Sequence, residues 1–129
     1  MERHHPLYNR YAWTANKDLE ALREDRRLII PLEHDTHTEL HRAVSHVPPL
    51  SYHMARHVLR AYSEYEADTY LRNVENLQRS IEEAMKHPRA DRLERSVGAL
   101  AVHALDLQRP FIDDSSTTYL INYKRQQQP

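Results

Sequence analysis

Histidine is the residue type that stands out in this chain. Ten occur among 129 residues, and eight of them (His4, His5, His34, His37, His41, His46, His53 and His57) fall in the N-terminal half. The stretch Leu28 to His41, LIIPLEHDTHTELH, carries His34, His37 and His41 at i, i+3 and i+7. On a helix these three imidazoles share one face. His37 and His41, four apart, offer two convergent nitrogens to a divalent metal. A third ligand must come from elsewhere, which leaves an open position for water or a phosphate oxygen. Glu2-Arg3-His4-His5 supplies the candidates. Successive side chains of an extended segment point to opposite faces, so one histidine of the pair can bind metal while the other meets a substrate from a different direction. The imidazole left off the metal, with a pKa near neutrality, is then a candidate general base.

The elements that must position these residues can be read in order. Residues 1–13 are expected to be extended or irregular. A helix is expected over Thr14 to Arg26, capped by Thr14 or Asn16, with Leu19 and Leu22 on its apolar side. Leu28–Leu32 suits a short strand, limited to an edge or an end by Pro31. From Glu33 to about His46 the spacing turns helical, and Val47-Pro48-Pro49 stops it. Further helices are expected over ~50–66 (Leu50, Met54, Val58, Ala61, Tyr65), ~67–86 (Leu71, Val74, Leu77, Ile81, Met85) and ~89–107. In the last of these, Leu93, Val97, Leu100, Ala104 and Leu107 form the expected packing stripe, and Gly98 marks a close helix approach. Thr117–Tyr123 has strand-like composition and the final RQQQP is expected to be disordered.

Composition bounds the class. A single domain that is α+β but mainly α is expected, since one glycine and seven prolines favour helices joined by proline breaks over hairpins and phosphate-cradling loops. It is expected to divide into an N-terminal module (1–46), a helical part (47–109) and a tail (110–129). No apolar run reaches the roughly 20 residues of a membrane span, and MERHHPLYN is not a secretory signal. With no cysteine there is no disulfide or thiolate metal site, and a cytoplasmic setting is expected. A net charge of −1 does not give the basic footprint of a nonspecific nucleic-acid binder, so any DNA contact must rest on a local patch or a metal. Arg3, Arg10 and Arg42 are the candidate phosphate contacts.

Taken together, His4-His5, Leu28-Ile29-Ile30-Pro31-Leu32 and His37-Thr38-Glu39-Leu40-His41 resemble the HNH, or ββα-metal, nucleases, in particular the colicin DNases. Those proteins combine a His-His pair, an apolar turn of the type Asn-Leu-Val-Pro-Leu, and a helix ending His-x-x-x-His. The resemblance covers roughly residues 2–45. It implies a divalent-metal-dependent endonuclease on DNA, with His4, His37 and His41 as metal ligands, His5 activating the attacking water and Glu2 orienting the site. The metal would be Zn, Mg, Ni or Mn, and the setting bacterial or phage. Leu28 stands where the family has its central asparagine, and leucine cannot make that residue's hydrogen bonds.

The alternative is a catalytically inactive HNH fold, or a helical binding or assembly protein, with a structural metal or none. Its C-terminal helices would meet a protein partner or a second copy. His34 is expected to flank the site or lie in solvent. His53 and His57 form a second i, i+4 pair beside Met54 and Val58. They are read as partly buried structural histidines, with a metal site shared between two helices as the runner-up. His46, His87 and His103 are read as structural.

Overall fold

Pairing between the N-terminus and the apolar run sets the frame for the site. In the computed structural model, which describes residues 1–7, 17–44, 47–66 and 69–112, β1 (Glu2–His4) lies antiparallel to β2 (Ile30–Leu32). Glu2 faces Leu32, Arg3 faces Pro31 and His4 faces Ile30. Each strand of a two-stranded sheet keeps an open edge, which is how β2 accommodates a proline at its centre. Glu2 and His4, two residues apart, share a face of β1, and that face meets the helix that follows β2.

Among the described residues the sheet is followed and interrupted by five helices: α1 (Lys17–Glu24), α2 (His34–Ala43), α3 (Tyr52–Ser63), α4 (Tyr70–Met85) and α5 (Arg92–Gln108), with a 3₁₀ turn at Arg109–Phe111. Three of them, α3, α4 and α5, carry polar N-caps. Ser51 accepts from the Met54 amide and Thr69 from the Arg72 amide, while Asp91 and Glu94 form a reciprocal capping box. The mainly α, α+β class read from the sequence is the observed one. Among the described residues no helix is long and apolar enough to cross a membrane. Arg10, the Thr14 and Asn16 caps, His46 and the strand-like Thr117–Tyr123 lie outside the described residues.

One hydrophobic cluster joins the N-terminal part to the helices. Leu22 of α1, Leu28, Ile30 of β2 and Leu40 of α2 share it with Met54, Val58, Leu77, Ile81 and Leu105. The α5 stripe expected from the sequence is corrected in part: Ala104 is buried and Val97 packs against the core, but its three leucines turn outward. Leu93, Leu100 and Leu107 are 72%, 53% and 38% exposed, and the face turned inward is Gly98, Ala101, Ala104, Leu105 and Gln108. Small residues let α5 approach α4 closely. A Cβ on Gly98 would lie 2.6 Å from Met85 Cγ, the close approach expected at this glycine.

Candidate metal centre

His4, His37 and His41 converge. β1 delivers His4 and successive turns of α2 deliver the other two, with one potential ligand nitrogen from each within 4.8 Å of the others. His4 is 2% exposed, whereas His41 sits at the surface. Nδ1 of His4 is 3.2 Å from Nε2 of His37, which is 2.9 Å from Nε2 of His41. Metal–nitrogen bonds of ~2.05 Å in tetrahedral array hold their nitrogens about 3.3 Å apart. The spacing of this group is close to that.

The protonation of two of these rings follows from their outer partners. Gln108, at the end of α5, donates its amide to the Pro6 carbonyl at 2.7 Å, which leaves Oε1 to accept from His4 Nε2 at 2.7 Å. His4 therefore carries its proton on Nε2 and turns the lone pair of Nδ1 to the cluster. Glu2 Oε1 takes the proton of His37 Nδ1 at 2.9 Å, so Nε2 of His37 also presents a lone pair. Two facing lone pairs 3.2 Å apart share no proton while both rings are neutral, although His37 Nε2 can accept from a proton on His41 Nε2 at 2.9 Å. A cation between them satisfies both, and a ligand imidazole whose far N–H is held by a carboxylate or carbonyl is the usual arrangement at metals. The residues present fit a divalent ion held by three imidazoles.

Electrostatics favour the ligand form. Burial is the main cause that pushes the His4 pKa down to about 4; the hydrogen bond to Gln108 opposes it, and neighbouring His37 and His41 add to it. His4 is thus neutral at pH 7, as a metal ligand must be. Hydrogen bonds from His34 and His37 hold the Glu2 carboxyl below its ordinary range, and Glu2 in turn raises His34. His34 both flanks the site and lies in solvent: its Nδ1 is 2.9 Å from Glu2 Oε2 while its side chain stays 74% exposed.

The remaining candidates are placed as follows. Glu2 reaches the cluster as an outer partner of His37. His5 follows β1 and turns to α1, its Nε2 4.0 Å from Glu24 Oε1. Burial first, then the Arg23 guanidinium, lowers its pKa. Arg3 is exposed and lines an open cleft with Arg26, Ile29, Pro31 and Tyr70. Arg42 is exposed one residue beyond His41. Leu28 is 1% exposed, in the core. Sequence reasoning missed Gln108. The one available signal is a long polar residue at a position that continues the buried Ala101–Ala104–Leu105 face of α5.

The chain matches no family model, no curated protein and no solved structure. The function must therefore be argued from the arrangement of these side chains.

Proposed function

We propose that this protein is a divalent-metal-dependent endonuclease of the HNH, or ββα-metal, type, acting on DNA phosphodiesters. The observation that carries the reading is the approach of His4 Nδ1, His37 Nε2 and His41 Nε2, supplied by an antiparallel strand pair and the helix that follows it. A bound divalent ion would stabilise charge on the phosphate and on the leaving oxygen. His4, His37 and His41 hold that ion, and Glu2 fixes the ring of His37 through Nδ1. His5 takes the proton of the attacking water on a ring nitrogen. Arg3 and Arg42 contact the flanking phosphates.

A second reading keeps the metal and drops the chemistry. Leu28 is packed into the core where an asparagine would hold the general base, which favours a non-catalytic binding or assembly protein with a structural metal. In that reading the exposed Leu93, Leu100 and Leu107, spaced by seven along α5, meet the same helix of a second copy.

The test is nicking of supercoiled plasmid by chelator-stripped protein given Mg²⁺, Mn²⁺, Ni²⁺ or Zn²⁺. Metal-dependent nicking, lost in His5→Ala while metal binding survives, supports the nuclease. No nicking with any of the four ions, from protein that binds metal, overturns it in favour of the second reading.

A further inference from the structure

Outside this centre a second group of three imidazoles comes together. His53 and His57 stand four apart on α3, and His87 lies in the turn between α4 and α5. The ring centroids are 4.6 Å apart for His53 and His57, 5.4 Å for His53 and His87, and 4.3 Å for His57 and His87. One potential ligand nitrogen of each lies within 4.8 Å of the others, and all three residues are half-buried. His53 Nε2 is buried and has no hydrogen-bond partner among the described residues. Buried polar atoms are rarely left so, and a bound cation would satisfy this one with the ring proton on Nδ1.

We infer that His53, His57 and His87 form a second transition-metal site, which takes a zinc-type divalent ion and clips α3 to the α4–α5 turn. Three neutral imidazoles without a carboxylate in the set select Zn²⁺, Ni²⁺, Co²⁺ or Cu²⁺ over Mg²⁺ or Ca²⁺. The i, i+4 pair supplies two ligands from one rigid helix, and His87 closes the set from a segment 30 residues beyond His57. Water completes the tetrahedron. The role is structural: Ser51, the N-cap of α3, already donates to Glu94 of α5, and the ion would bind the same ends of these helices together.

One hydrogen bond reports on occupancy. His87 Nδ1 accepts from the Arg89 backbone N–H at 3.2 Å. An ion on Nδ1 takes that lone pair directly. An ion on Nε2 moves the ring proton to Nδ1, which can then no longer accept. The Arg89 amide loses its partner either way.

The experiment is a Zn²⁺ titration of the full chain carrying His37→Ala and His41→Ala, which disables the first centre, followed by calorimetry and by ¹⁵N-edited NMR. The expected result is one zinc per chain, a shifted Arg89 amide resonance, and at least a 100-fold loss of affinity when His87→Ala is added. No uptake at micromolar zinc, uptake with the Arg89 resonance unmoved, or uptake that survives His87→Ala overturns the proposal. Should that background not fold, the otherwise unaltered protein carries the test. His87→Ala then removes one zinc equivalent, whatever the first centre holds, and an unchanged stoichiometry overturns the proposal.

Discussion

Gln108 Oε1 lies 2.7 Å from His4 Nε2, joining the end of α5 to β1 across 104 positions of sequence. The same amide donates to the Pro6 carbonyl at 2.7 Å, so one buried side chain fixes both the tautomer of His4 and the backbone just beyond it. The ligand geometry of the candidate metal centre therefore depends on a helix that contributes no ligand.

Gln108→Leu is expected to weaken zinc binding 10–100-fold, the usual consequence of removing the partner of a ligand imidazole. It also leaves the buried N–H of His4 and the Pro6 carbonyl unpaired, at about 1–3 kcal/mol for each group. Competitive zinc titration and urea denaturation measure the two effects separately. Full zinc affinity in a folded Gln108→Leu protein would show that His4 Nε2–H needs no such partner.

Glu2 and His34 allow a contrast on the exposed side of the same cluster. Glu2 accepts from both His34 and His37, but only His37 faces the other two imidazoles. Glu2→Ala frees the His37 ring and is expected to lower zinc affinity about tenfold. His34→Ala leaves the Glu2–His37 bond in place and is expected to leave affinity nearly unchanged. Equal losses in the two variants would mean that the Glu2–His37 bond alone does not account for the effect of Glu2.

Acid should destabilise the metal-free protein through His4. An imidazole in the unfolded chain titrates near its ordinary value of 6.5, while burial holds folded His4 down to about 4. Between those values the unfolded state binds more protons, so stability rises with pH and falls as pH drops through the window. The expected loss is up to ~3 kcal/mol on going from neutral pH to about pH 4. His34, raised by Glu2, works in the opposite sense; it is well exposed and contributes little. Urea midpoints measured in chelator for the unaltered protein and for His4→Leu test this. The variant should lose most of the slope, and parallel slopes would assign the acid sensitivity to other groups.

Local features of the fold were legible in the sequence, and the long-range ones were not. The i, i+4 spacing of His37 and His41 needs only a helix to place both rings on one face, and α2 forms where the spacing indicates. The apolar run before it pairs with the N-terminus because Ile30 and Leu32 can be buried only on a strand that faces the core. The three leucines of the expected α5 stripe lie outside the core for a physical reason. Spacing shows which residues share a face but not which face is buried, and here close approach to α4 favours Gly98, Ala101 and Ala104 over the larger leucines. His87 has no local signature, and Gln108 has only its place on the buried face of α5. Each gains its role only when a distant element, β1 for one and α3 for the other, is brought beside it.

Tyr62 tests how the core tolerates polarity. Its ring is 1% exposed, with the Arg27 guanidinium carbon 4.5 Å from the ring centroid, and Arg27 is paired with Asp25. The hydroxyl is buried without a hydrogen-bond partner among the described residues. Burial first, then the Asp25 charge, raises its pKa well above the ordinary value, so it stays protonated at any working pH. An unsatisfied buried hydroxyl costs about 1–3 kcal/mol by mutational measure. Tyr62→Phe removes that atom and keeps the ring, so the expected outcome is unchanged stability or a gain of up to ~2 kcal/mol. Tyr62→Ala, which empties the same space, is expected to cost about 3–5 kcal/mol. Urea unfolding of the two variants at constant m-value makes the comparison. A loss of more than ~1 kcal/mol in Tyr62→Phe would mean that the hydroxyl does have a partner, since only loss of a made bond gives that sign.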